Sequence, residues 1–438
     1  MILAVAAVAT PLLALVGWIG QSWTAVALAA LGMALLALLD AAIGRTIARH
    51  ISVILDNHLH ATQGRPVTAT ARITGPPAKL RIAAAWPESC ETDHRILQTS
   101  TSGSNSTVSW HITPHRRGTI TLDRIHYEVI SPSGLWALRR HAPASFHLRV
   151  YPSLLEDRGV LAPLFLRKSA AGLHVVRQVG KGRDFEQIRE YLPGDSYEDI
   201  YWKGTARRQH PVTKIHQIER TQDVYIVVDA SRRSLRNLTE IEAPGQPPTT
   251  QMDRFVRAAM ALSLTALQQG DRPGLAVFGP SLRHFLRAAG GQPQYAALRD
   301  ILFDLHARSS PPDFADVFAD LGNRLRHRSL LLFLTDLDDP VLADQFCEEI
   351  KPFARRHVVL VGQLQSPGIS PVFASRQPQP ASDSETYARL AGHLLWHSTR
   401  QTGNRLRSQG IHWVSSPSES LVADMVTSYL NIKRRQLL

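Results

Sequence analysis

Two short stretches of the chain bring carboxylates and hydroxyls to places where they could hold a hard cation. Asp229-Ala230-Ser231-Arg232-Arg233 follows the apolar run Tyr225 to Val228, and Thr335-Asp336-Leu337-Asp338-Asp339 follows Leu330 to Leu334. Oxygen donors from Asp229, Ser231 and Asp336, completed by waters, suit the near-octahedral demand of magnesium. Arg233 offers a second arrangement, in which its guanidinium takes the cation's place and pairs with Asp229 or Asp336 through a planar fork. Plain structural use of the same residues is a third. A fixed positive charge within about 4 to 6 Å of these carboxylates opposes a divalent ion. The expectation is therefore weak magnesium binding or none.

A magnesium-dependent hydrolase using the strand-end aspartates is the alternative, and it needs a general base and an activated nucleophile converging on one pocket. A haloacid-dehalogenase-like phosphatase needs a second aspartate two residues after Asp229, where Ser231 stands. The sequence has no glycine-rich phosphate loop ending in Lys-Ser or Lys-Thr, and no Gly-x-Ser-x-Gly elbow. Its 19 histidines form no His-Glu-x-x-His pair.

The elements that must position these residues are legible in the apolar pattern. From Asp223 onward, YIVVD, LAVF, LLLFLTD, HVVLVG and IHWV are short uninterrupted apolar runs, as strands buried on both faces of a mainly parallel sheet require. Phe255, Ala259, Leu262 and Ala266, and again Phe314, Phe318, Leu321 and Leu325, keep the spacing of one helix face. Alternating strands and helices predict a doubly wound α/β domain, whose ligands sit beyond the carboxyl ends of the strands. Between His50 and Tyr151, alternation such as Val67, Ala69, Ala71, Ile73 and Ile120, Leu122, Ile125, Tyr127 predicts a half-buried β-sandwich. Its turns fall at His115-Arg116-Arg117-Gly118 and Ser131-Pro132-Ser133-Gly134-Leu135. Glu242 to Thr250 and Ser366 to Asp383 read as Pro/Gln-rich surface linkers.

Residues Ile2 to Leu39 carry no Asp, Glu, Lys or Arg. One helix of that length would run about 57 Å, against a hydrocarbon core of about 30 Å. Gly20-Gln21-Ser22, flanked by Trp18 and Trp23, divides the run into two spans, a transmembrane helical hairpin with aromatic residues at the interface. A cleaved signal peptide would need a basic n-region, and no Lys or Arg precedes the apolar run. Arg45 and Arg49 just past the second span favour the cytoplasmic side. The expectation is an inner-membrane protein with cytoplasmic domains: a hairpin over residues 1–44, a sandwich over 50–152, a connecting segment over 153–221 and an α/β domain over 222–438.

The net charge of +12 comes from dispersed basic pairs with no groove-reading motif, so the partner implied is an anionic lipid leaflet rather than nucleic acid. Cys90 and Cys347 fall in different predicted domains, which argues against a disulfide framework.

One further stretch does not fit plain patterning. Gly180 to Arg208, GKGRDFEQIREYLPGDSYEDIYWKGTARR, alternates aromatic anchors (Phe185, Tyr191, Trp202) with charges (Arg189, Asp195, Lys203, Arg207) around a Leu-Pro-Gly-Asp turn at Gly194. It reads either as a brace for the following strand, with Trp202 inserted and Asp195 or Asp199 near Arg189 or Arg207, or as a docking surface. This run resembles the signature of the bacterial family called "domain of unknown function 58". The resemblance implies a membrane-anchored, non-enzymatic adaptor whose α/β domain is similar to the von Willebrand factor type A domain. It also implies a partner of the MoxR class of AAA+ ATPases, in assembly or maturation of other proteins. In a von Willebrand type A site the first loop reads Asp-x-Ser-x-Ser. Asp229 and Ser231 match it, Arg233 stands where the second Ser is expected, the middle loop Ser309 to Asp313 lacks the usual Thr, and Asp336 matches the last position.

Overall fold

The computed structural model describes residues 23–101, 106–154, 179–192, 197, 200–217, 221–238, 249–366, 369–372 and 382–435. The chain divides into two compact units, Met1–Ser153 and Leu154–Leu438.

Among the described residues of the first unit an apolar helix, α1 (Trp23–His50), precedes nine strands. It is long and apolar enough to cross a membrane within Val26–His50, and its charged residues begin at Asp40. It also runs through residue 44, where the hairpin was expected to end; the first of the two expected spans lies outside the described residues. The strands are β1 (Ser52–Leu55), β2 (His58–Thr62), β3 (Val67–Thr74), β4 (Ala78–Ala84), β5 (Cys90–Thr92), β6 (Ile96–Thr101), β7 (Ser106–Pro114), β8 (Gly118–Ile130) and β9 (Ala137–Tyr151). They form a four-stranded sheet, β1-β3-β7-β5, and a five-stranded sheet, β2-β9-β8-β4-β6. Inward residues of both, among them Ile73, Trp110, Ile82, Tyr127 and Phe146, share one core, which is why each strand alternates. The step of three between Leu122 and Ile125 is a bulge: the pairing of β8 with β9 slips between Leu122 and Arg124, which returns Ile125 to the core side. Cys90 and Cys347 are both free thiols.

In the second unit β10 (Val179–Glu190) pairs antiparallel with β11 (Val212–Gln217), and α2 (Trp202–Arg208) lies between them in sequence. Then come β12 (Asp223–Asp229), α3 (Gln251–Gln268), β13 (Arg272–Phe278), β14 (Leu282–Leu286), α4 (Gln292–Leu302), α5 (Phe314–Arg324), β15 (Leu330–Leu334), α6 (Pro340–Glu349), α7 (Lys351–Arg356), β16 (Val358–Leu364), α8 (Asp383–Ser408), β17 (His412–Ser416) and α9 (Leu421–Arg434).

The sheet order is β14-β13-β12-β15-β16-β17, parallel except for the edge strand β14. This is a doubly wound α/β fold, as the apolar runs predict. Val224, Ile226 and Val228 of β12 face the core under α3 and α9, while Tyr225 and Val227 face the core under α5 and α6. Both faces are thus covered, and the strand has no polar position to spare. The antiparallel β14 has no continuous apolar run and went unpredicted.

Candidate functional site

Chain order reverses between β12 and β15, which lie side by side with Val228 opposite Leu334. Loops leaving the carboxyl ends of two such strands open a crevice, the ordinary ligand position of an open α/β sheet. Both aspartate loops emerge there.

Thr335 Oγ1 donates to Asp229 Oδ2 at 2.7 Å, and Ser231 N donates to Asp229 Oδ1 at 2.9 Å. Asp229 has no exposed surface. Burial pushes its carboxyl above the usual carboxylate range, against the pull of the bonds from Ser231 and Thr335. Ser234 Oγ donates to the Asp229 carbonyl at 2.6 Å and closes the loop on itself.

Asp336 is 2 % exposed and takes partners from the first loop, from its own loop and from α3. Arg233 Nη2 donates to Asp336 Oδ1 at 3.0 Å, and Asp338 N donates to the same oxygen at 2.9 Å. Gln251 Nε2, at the start of α3, reaches Oδ2 at 3.3 Å. Arg236 Nη1 lies 3.7 Å from Asp336 Oδ2 and 3.5 Å from Asp338 Oδ2. The loop forms a 3-10 turn over Arg232–Leu235, whose three-residue period sets Arg233 and Arg236 on one side. Asp338 also accepts from Gln363 Nε2 and Ser366 Oγ. Burial raises its carboxyl, and so does Asp336, partly offset by Ser366 and the two arginines. Burial weakens the Arg233 charge, but Asp336 outweighs that and raises its guanidinium above the ordinary value.

The structure therefore brings Asp229, Ser231, Arg233 and Asp336 into one crevice, with the guanidinium on Asp336. These residues do not fit magnesium. A cation at Asp336 would share it with a fixed positive charge at 3.0 Å. Moreover, Arg233 Nε and Arg236 Nε and Nη2 are buried donors without a hydrogen-bond partner among the described residues, and a cation cannot satisfy a donor. The middle loop supplies backbone only: Ser310 O accepts from Arg232 N and Ala230 O accepts from Arg308 N, both at 2.9 Å. Asp313 is engaged in capping α5 through Ala315 N and Asp316 N. Thr335, Arg236, Gln251, Asp338, Gln363 and Ser366 were not singled out from the sequence. The repeat of arginine at three-residue spacing, Arg233 and Arg236, was the available signal.

The signature run is placed differently from one expectation. Trp202 is 68 % exposed, not inserted. The seven-residue α2 has one packing face, and Tyr201, Gly204 and Thr205 occupy it: Tyr201 N bonds Val212 O at 2.8 Å, Val212 N donates to Thr205 Oγ1 at 3.2 Å, and a Cβ at Gly204 would meet Val212 Cγ2 at 3.2 Å. Trp202, Lys203 and Arg207 are left facing solvent. Phe185 lies opposite His216 and Arg189 opposite Thr213 in the hairpin. Tyr191 N donates to Pro211 O at 2.9 Å, and the Tyr191 ring lies 6.2 Å from that of Tyr197. Gly194, Asp195 and Asp199 lie outside the described residues.

Comparison with known proteins gives the stretch that holds the site a family match but no chemistry. "Uncharacterized protein Rv1480" of Mycobacterium tuberculosis and "Uncharacterized protein Mb1516" of Mycobacterium bovis are each 26% identical to the chain over 198 residues, 45% of this chain and 59% of theirs. The chain thus spans little more than half the length of these curated relatives. Among solved structures, BatB from Bacteroides thetaiotaomicron is 11% identical, with 49% of this chain and 99% of that chain covered and a TM-score of 0.31. An aerotolerance-related membrane protein from Bacteroides fragilis is 12% identical, covering 48% and 98%, with a TM-score of 0.30. The stretch 187–367, which holds every residue of the Arg233–Asp336 network from Asp229 to Ser366, matches the family described as "Protein of unknown function DUF58".

Proposed function

We propose that this protein is a membrane-anchored, non-enzymatic adaptor of the inner membrane whose α/β domain, similar to a von Willebrand type A domain, docks a protein partner without a metal ion. The observation that carries this reading is the pairing of Arg233 with Asp336 at 3.0 Å in the crevice where such a fold presents its ligand site. With Asp229 bonded by Thr335 and Ser231, and Asp336 paired with Arg233, neither of these two strand-end aspartates is left free to act as a general base. The exposed Trp202, with Arg207 also facing solvent on the same short helix, supplies a second surface bearing two residue types that interfaces favour. Proposed metal residues Asp229, Ser231 and Asp336 act here as the scaffold of the crevice. The partner we favour, on the family resemblance, is a MoxR-class AAA+ ATPase acting in protein assembly or maturation, with the soluble units in the cytoplasm.

Co-purification from native membranes tests this. An ATPase should be recovered with the chain in chelator as well as in magnesium. Recovery abolished by chelator and restored by magnesium, without added nucleotide, would overturn the metal-free reading.

A further inference from the structure

We infer that the turn joining β8 to β9, Ser131 to Trp136, sits in the headgroup layer of the bilayer, so that the β-sandwich is seated on the membrane surface rather than tethered above it. The inference rests on the membrane-anchored reading of α1.

From Trp23 to Leu39 the helix is uncharged, and its 17 residues rise about 25 Å, close to a hydrocarbon core of about 30 Å. Asp40 is the first charge, so the water-side boundary falls at about this residue. It is also where the helix meets the sandwich. Asp40 Oδ1 accepts from Ser133 N at 3.1 Å, and Asp40 Oδ2 from Ser133 Oγ at 2.6 Å. One turn earlier, on the apolar side, Trp136 Nε1 donates to Ala37 O at 2.8 Å. One turn later the contact is so close that a Cβ at Gly44 would meet Leu138 Cδ1 at 2.7 Å. Ala48 is wholly buried in the sandwich core. The helix thus enters the domain as part of its core and carries no hinge between residues 37 and 48.

A rigid entry fixes height. Ala37 lies inside the apolar span, so the indole bonded to it sits at the edge of the hydrocarbon, the level that tryptophan prefers. Ser131, Pro132, Ser133 and Gly134 bring no charge to that depth. The cations begin just beyond it. Arg45 is about 7.5 Å further along the helix axis, and Lys79, paired in register with Ile130, lines the same groove of about 370 Å³ as Ile47 and Ser133. An uncharged tip with a basic collar matches the layering of an anionic leaflet.

Spin-label depth measurements on the full chain, in vesicles of phosphatidylcholine and phosphatidylglycerol, test the inference. Labels would be placed singly at Pro132→Cys, Thr119→Cys and Leu31→Cys, with Cys90→Ser removing the more accessible native thiol. At residue 132 the ratio of oxygen to nickel-complex accessibility should exceed that at residue 119, near the other end of β8, several-fold. A residue-132 label as water-exposed as that at 119, with residue 31 in hydrocarbon, overturns the inference alone. A water-exposed residue 31 overturns the membrane-anchored reading beneath it. Without any cysteine, brominated lipid should quench a fluorescence component that Trp136→Phe removes; if that component stays unquenched, the turn is not in the headgroup layer and the inference fails.

Discussion

Arg233 and Asp336, 103 residues apart in sequence, meet at 3.0 Å where chain order reverses in the central sheet. The guanidinium fills the ground that an oxygen-ligated cation would need, and Arg236 at 3.7 Å covers the other carboxylate oxygen. The crevice is electrostatically closed by its own side chains, and that sets what substitutions should do.

The unaltered protein should bind magnesium weakly or not at all. Arg233→Ser removes the nearer guanidinium but leaves Arg236, so it should restore only part of an ion site. The Arg233→Ser, Arg236→Gln pair should bind magnesium at least about tenfold more tightly than the parent, given that two nearby positive charges are removed. Calorimetry measures this. Tight binding by the parent that Asp336→Ala abolishes would reverse the assignment.

Asp336→Ala leaves the partly buried Arg233 guanidinium without its carboxylate acceptor and takes one of two neighbouring carboxylates from Arg236, which keeps Asp338 and Ser366. Loss of one partner of a buried pair costs about 3 to 5 kcal/mol, and the partial exposure of Arg233 reduces this to about 2 to 4 kcal/mol. Thermal unfolding of the purified chain should show it. An unchanged midpoint would mean that the pair contributes nothing.

Thr335→Val keeps shape but withdraws the donor to a fully buried carboxylate oxygen. The cost should be about 1 to 3 kcal/mol, with Thr335→Ser near the parent because the hydroxyl remains. Equal losses for both would point to packing instead.

His357 gives the α/β domain a pH dependence. Its Nδ1 accepts from Ser329 N at 3.2 Å, which requires the neutral ring, and burial with nearby Arg356 and Arg328 lowers its pKa from 6.5 to about 4. A depressed folded-state value means that the stabilisation is complete above pH 6.5 and lost as pH falls toward 4. The shift corresponds to about 2 to 4 kcal/mol. Unfolding midpoints over that window should fall in the parent and be flatter in His357→Gln; parallel slopes would exclude His357 as the cause.

Trp202→Ala should change stability by no more than about 0.5 kcal/mol, because the side chain is exposed. Partner recovery should drop while unfolding stays put. A large loss of stability would return Trp202 to a bracing role.

Much of the fold was legible because hydrophobic pattern reports burial locally. Uninterrupted runs such as Tyr225 to Val228 mark strands covered on both faces, and alternation marks the sandwich. The two aspartate loops were legible as strand ends for the same reason. The step from Leu122 to Ile125 reads as plain alternation in sequence, and only the pairing of β8 with β9 shows it to be a bulge. What only the tertiary structure decided is which groups those loops meet. Strand order brings Arg233 to Asp336 rather than Asp229, gives Asp229 to Thr335, and adds Gln363 and Ser366 from the neighbouring strand end. None of these contacts leaves a periodic trace, because each joins residues far apart in sequence. Trp202 shows the converse limit: an aromatic residue signals a large apolar surface, but whether that surface is covered depends on which face of a short helix its neighbours have already taken.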